Sequence, residues 1–253
     1  MRGTVKLLIA VLRAMLNEAV EDGMILSNPA LRINRTLKVD GREGKKAKSE
    51  PKAFTREQLA AFLANAHPRW YPYFLLLART GVRLGESLAL EVSDVLFTEG
   101  AIIISKAISR GTVQLPKDGE SRQVDMSSQL SGVLKAMIAE RRARYFAMGK
   151  PMPALLFPTE NGTPMNPAHI LRAIERTLRK ANLAMHFSVH CFRHTFASQL
   201  LQMGVSPAYV QRQLGHSSIA MTVDIYGKWL PAGNREAVDR LDETLPQAAS
   251  AED

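Results

Sequence analysis

Cysteine is almost missing from this chain: Cys191 is the single one in 253 residues. No intrachain disulfide can form, and a cysteine-rich zinc site is excluded. A reducing cytoplasm suits such a chain. Long apolar runs are missing too, since nothing approaches the roughly 18 residues that a membrane helix needs. The most apolar early stretch, residues 5–20, is broken by Lys6, Arg13, Asn17 and Glu18. No uninterrupted apolar core follows a basic start, so no secretory signal is read. Internal repeats and low-complexity tracts are absent as well.

What remains is an ordinary folded composition, 46% hydrophobic and 23% charged. At roughly 150 residues per domain, the length suits one or two domains and a sizeable core. The net charge of +9 argues for a polyanionic partner, usually nucleic acid. Its distribution is uneven. Residues 35–52 carry Arg35, Lys38, Arg42, Lys45, Lys46, Lys48 and Lys52 against Asp40, Glu43 and Glu50. After Leu230 the balance turns acidic.

The local patterns are mostly helical. Val5, Leu8, Ile9, Leu12, Met15, Leu16 and Ala19 make an apolar stripe that predicts a helix over 4–22, with Thr4 as cap. Ser27-Asn28-Pro29 ends it, and residues 34–52 read as an exposed basic linker. A second unit opens at Phe54, where Thr55 and Gln58 form a capping box. Ile102 to Ile104, Val113, Leu115 and Val124, punctuated by Gly111 and Asp118-Gly119, predict a small antiparallel sheet. A long helix is expected over 128–148. Asn166-Pro167 and Ser206-Pro207 mark two further helix starts. The fold class expected is mainly α, of the α+β type.

Four patches carry chemistry. They are T-G-V-R-L-G-E at 80–86, K-D-G-E-S-R-Q-V at 117–124, H-C-F-R-H-T-F-A at 190–197 and L-G-H-S-S-I-A-M-T-V-D-I-Y at 214–226. Each alone has an ordinary explanation: a surface arginine, a turn lysine, a core histidine, a packed tyrosine. Together they suit work on a phosphodiester. Arg83 and Arg193 are permanently charged planar forks, apt for clamping a phosphate and the charge that develops on it. His190, His216 and Lys117 can move protons near neutral pH. The Tyr226 hydroxyl can attack phosphorus and hold a covalent link. Such a link stores the bond energy, so neither ATP nor a metal is called for.

With that order and spacing, the sequence resembles the tyrosine recombinase, or phage integrase, family from about Phe54 to Leu230. The resemblance implies a helical catalytic domain with a small antiparallel sheet, and an enzyme that cuts and rejoins duplex DNA without cofactor or metal. It implies Tyr226 as the nucleophile of a 3′-phosphotyrosyl link, and Arg83 and Arg193 as the phosphate clamp. Lys117 matches the hairpin lysine that protonates the 5′-oxygen. His190 matches the histidine that assists at the tyrosine, His216 a phosphate-bonding histidine, and Glu86 an acidic support behind Arg83. Cys191 and Phe192 replace a common Asp-Leu, and Pro116 stands where a small polar residue is usual; Lys106 is therefore the alternative to Lys117. His194 is read as packing or helix support.

The resemblance also divides the chain. Residues 1–33 look like the last part of a helical core-binding domain. Residues 34–52 are the linker, whose Lys45, Lys46 and Lys48 are expected on DNA. Residues 53–230 are the catalytic domain, and 231–253 a C-terminal helix and acidic tail. A stripe without its covering helices predicts self-association through residues 5–20. The partners expected are double-stranded DNA, further copies of the chain (a tetramer in synapsis) and accessory DNA-bending or directionality proteins, with no membrane. Two other functions stay open: a nicking-closing activity like that of type IB topoisomerases, and a DNA-binding fragment that does not complete recombination.

Overall fold

The computed structural model describes residues 2–33, 52–115, 120–230, 233 and 235. The chain divides into two units, Met1–Glu50 and Pro51–Asp253. In the first, α1 (Arg2–Glu21) is followed by a 3-10 turn, Pro29–Arg32. Asn28 holds the two together: its Nδ2 donates to Arg13 O at 3.0 Å and to Asn17 Oδ1 at 2.6 Å. Arg13 returns the bond through Nε to Ala30 O. Of the predicted stripe only Ile9 is buried, while Leu8, Leu12 and Met15 are exposed. The linker, with Lys45, Lys46 and Lys48, and residues 236–253 of the tail lie outside the described residues.

The second unit starts where the capping box predicts. Thr55 Oγ1 accepts from Gln58 N, and Gln58 Oε1 accepts from Thr55 N, opening α2 (Arg56–Ala64). Then come α3 (Tyr71–Thr80) and α4 (Leu84–Ala89). Tyr73 to Ala78 are all buried, because α3 is apolar on every side and so can only be an interior helix. The α3 helix packs on α5 (Ser128–Ala147) and α7 (Val189–Gln202). Aromatic rings fill the space between: Phe54 stacks on Phe187 at 3.9 Å, and Phe62 and Phe74 meet at 5.1 Å. The predicted proline-led starts hold for α6 (Pro167–Lys180) and α8 (Pro207–Leu214), capped by Asn166 and Ser206. Helix α9 (Ile219–Tyr226) packs against α8.

The β-structure differs in one respect from the single sheet expected. Strands β1 (Val95–Leu96), β2 (Ala101–Ile104) and β5 (Arg122–Asp125) form one antiparallel sheet, and β3 (Ala107–Ser109) with β4 (Thr112–Gln114) a separate hairpin. Ile102 and Val124 face each other across β2 and β5, both fully buried. The hairpin turns on Arg110 and Gly111, at φ 51° and 81°. Two positive values match the right-handed twist of a two-residue hairpin loop. Val113 is exposed, and β3 packs on α4 instead of pairing with the sheet.

Candidate active site

Two glycine corners build the site. Gly81 ends α3 and Gly215 ends α8, each left-handed at φ 61°. Left-handed glycine is the common way to stop a helix, and it turns the last carbonyls outward. Both corners are tight. A Cβ on Gly81 would lie 2.8 Å from the Phe196 ring, and one on Gly215 2.9 Å from Arg122 Cδ.

Those carbonyls hold the two arginines. Arg193, on α7 and nearly fully buried, donates through Nη1 to Gly81 O at 2.8 Å and through Nη2 to Leu214 O at 2.6 Å. Arg83, at the start of α4, donates through Nη2 to Gly215 O at 2.8 Å. Adjacent carbonyls thus receive side chains that are 110 positions apart in sequence, taking 83 from 193. Helix C-terminal carbonyls carry a partial negative charge; they orient a guanidinium without cancelling its charge. Burial, then the charge of Arg83, draws Arg193 down to about 10. It stays protonated at neutral pH.

Glu86 is the acidic support, and it supports more than Arg83. Its Oε1 accepts from Arg83 Nη1 at 2.9 Å, and its Oε2 from the Arg83 amide at 2.8 Å. Arg122 then lays both terminal nitrogens on the same carboxylate, at 2.9 and 2.6 Å. Burial alone would raise Glu86, but the Arg122 hydrogen bonds and charge, with the Arg83 amide, hold it at about 2. Three guanidiniums (83, 122, 193) against one carboxylate leave two positive charges in excess. An anion is what such a site accepts.

Tyr226 closes the constellation from α9. It is 1% exposed. Its ring stacks parallel to His216 at 6.2 Å and lies 5.8 Å from Trp229. Its Oη is 2.7 Å from His194 Nδ1. Burial pushes the phenol up to about 12, with Arg193 pulling the other way. His216 is buried and anchored through Nδ1 to Thr222 Oγ1 at 2.8 Å. His190 is only partly covered on α7, its ring edge-on to His194 at 4.5 Å. Burial first, then Arg193 and Arg83, keep His190 below the usual imidazole range.

Arg83, Glu86, His190, Arg193, His216 and Tyr226 are therefore brought into one neighbourhood. Lys117 lies outside the described residues. The alternative, Lys106, is paired with Glu91 at 3.0 Å. Among the described residues, no three His, Cys, Asp or Glu side chains gather to hold a metal ion. Cys191 caps its own helix instead, its Sγ accepting from Ser188 N at 3.2 Å.

Two residues of the site go beyond what the motifs assign. Arg122 sits inside the second motif, where the resemblance gives it no role. Its signal in the sequence is the strand face it shares with buried Val124, two residues on. His194 reads as packing in the sequence, yet it bonds the tyrosine hydroxyl. Its signal is its place one helical turn from His190, on the same face of α7.

The profile of the phage integrase family matches residues 52–230, the same unit that carries all of these side chains. The chain belongs to the phage integrase family. It is 27% identical over 260 residues to a "Tyrosine recombinase XerC-like" protein of Caldanaerobacter subterraneus subsp. tengcongensis, covering 95% of this chain and 66% of that one. It is 26% identical over 204 residues to the "Integrase" of Staphylococcus phage L54a, covering 74% of this chain and 58% of the phage protein. This family member thus spans about two thirds or less of those relatives' length. Among solved structures it is similar to the Tn1549 transposon integrase in complex with transposon right end DNA, with a TM-score of 0.72 at 24% identity, covering 95% and 79% of the two chains. The XerA recombinase follows the same fold, with a TM-score of 0.58 at 24% identity over 79% and 68%.

Proposed function

We propose that the chain is a site-specific tyrosine recombinase that cuts and rejoins duplex DNA, in the integration or excision of a mobile element. The observation that carries this reading is the convergence of Arg83 and Arg193 on the adjacent carbonyls of Gly215 and Leu214, beside the buried hydroxyl of Tyr226. In this reading both guanidiniums clamp the scissile phosphate and meet the charge that grows on it. Tyr226 attacks phosphorus, forming the 3′-phosphotyrosyl bond as the bond to the 5′-oxygen breaks. Lys117 protonates that oxygen. His190 assists proton transfer, and His216 bonds a phosphate oxygen. Glu86 keeps Arg83 in place. Lys45, Lys46 and Lys48 meet the DNA backbone, and copies of the chain assemble as a tetramer on two DNA sites in the cytoplasm. The names of the relatives support the reading, as does the transposon-end DNA bound by the Tn1549 integrase.

The test is covalent trapping. Suicide duplexes, nicked beside the candidate scissile phosphate and drawn from the DNA flanking the gene, are incubated with the chain in EDTA. A protein–DNA adduct on a denaturing gel, abolished by Tyr226→Phe, is expected. DNA binding with no Tyr226-dependent adduct on any duplex overturns the proposal. Relaxation of supercoiled plasmid with no sequence requirement would favour the nicking-closing reading instead.

A further inference from the structure

Tyr226 has its ring held on several sides and its hydroxyl on one. His216, Trp229 and His194 surround the ring. Among the described residues, the one hydrogen-bond partner of its Oη is His194 Nδ1. A phenol buried to 1% exposure must give its proton to some acceptor, because a buried donor left unmade is costly. His194 suits that task. It follows Arg193 directly on α7, so one helical turn carries a phosphate-clamping arginine and the contact to the tyrosine. Burial, then the charges of His190 and Arg193, hold His194 at about 4. Its ring is therefore neutral near pH 7 and retains a lone pair to accept with.

We propose that His194 is the positioning residue of the nucleophile: its Nδ1 accepts the Tyr226 O–H and aims that oxygen within the arginine cluster until a phosphate takes its place. The inference rests on the reading of Tyr226 as nucleophile. It gives a role to a histidine that the four motifs leave unassigned. His190 lies on the same face of α7 one turn earlier, yet it meets the His194 ring rather than the phenol. A packing role and a hydrogen-bonding role make opposite demands on a substitute. Packing needs the ring; the hydrogen bond needs only an acceptor where Nδ1 stands.

The experiment compares His194→Ala, His194→Phe and His194→Asn in the full chain. Phenylalanine keeps a ring without an acceptor. Asparagine puts an amide oxygen near the place of Nδ1. Adduct formation on the suicide duplex is timed at saturating DNA, and binding of the same duplex is measured separately. His194→Phe and His194→Ala are expected to slow the step about 10- to 100-fold, the usual effect of a misplaced reacting atom. DNA affinity stays unchanged, and His194→Asn recovers most of the rate. In parallel, NMR of the chain with 13C at the tyrosine ζ carbon locates the Tyr226 signal by its loss in Tyr226→Phe. That signal moves in His194→Phe and returns towards its native place in His194→Asn. A phenylalanine variant that keeps the rate while asparagine loses it would assign His194 to packing and overturn the proposal. So would an alanine variant as fast as the parent. No Tyr226-dependent adduct from the unaltered chain would bring down the nucleophile reading itself, and this inference with it.

Discussion

Arg122 grips Glu86 with both terminal nitrogens, at 2.9 and 2.6 Å, across 36 positions of sequence. The pair joins strand β5 to helix α4, and Arg122 Nε reaches on to Gln213 O on α8 at 3.1 Å. Three elements that each bear part of the site are thus locked by one side chain. Planar bidentate pairing fixes angle as well as distance.

Acid should loosen this lock. Glu86 is held at about 2 against an ordinary 4.5. Its folded-state value is depressed, so its contribution is present above pH 4.5 and lost as pH falls towards 2. By linkage that contribution is on the order of 3 kcal/mol. Urea unfolding at several pH values should show stability falling through this window. Glu86→Gln should flatten the fall, and an unchanged slope in that variant would refute the assignment. Arg122→Ala should cost about 1.5–3 kcal/mol at neutral pH, since it removes the bidentate hydrogen bonds from a buried carboxylate that Arg83 still holds.

His194 has its own signature at milder pH. Its folded-state value of about 4 lies below the ordinary 6.5. Between those values the unfolded chain binds the proton and the folded one does not, so stability falls as pH drops from 6.5 to 4. His194→Asn should remove that part of the slope while leaving the lower window of Glu86 in place. Thermal melts across pH 2–7 decide it.

Gly215→Ala should cost more than backbone strain. Any side chain at φ 61° pays about 1–2 kcal/mol, and here its Cβ would also meet Arg122 at 2.9 to 3.0 Å. Gly100 is the control, left-handed at φ 65° with nothing within 4 Å. Gly215→Ala should lower the melting temperature more than Gly100→Ala and slow adduct formation, because Gly215 O holds Arg83. Equal losses in the two variants would show that the corner does not set the arginine.

Arg193→Lys keeps the charge and loses the fork. One ammonium cannot take the place of a guanidinium that spans Gly81 O and Leu214 O. Adduct formation should fall by about 100-fold or more, with the chain still folded and bound to DNA. A rate within about tenfold of the parent would mean that charge alone suffices.

Local chemistry is legible in the string of residues itself. The capping box of Thr55, the proline-led starts of α6 and α8 and the strands around Ile102 and Val124 all follow from neighbours a few residues apart, where propensity and hydrogen-bonding rules act. The four motifs are legible for the same reason, as short strings of residue types suited to a phosphodiester. The amino-acid sequence by itself thus determined the family, the mainly helical class and which side chains carry charge or a hydroxyl. Tertiary structure decided who touches whom. That Arg83 and Arg193 share the end of α8, that Glu86 serves Arg122 as well as Arg83, and that Tyr226 bonds His194 rather than His190 all depend on helices far apart in sequence. Those contacts are set by how the buried α3 and its aromatic neighbours pack, and packing is a property of the whole core that no single stretch of chain encodes.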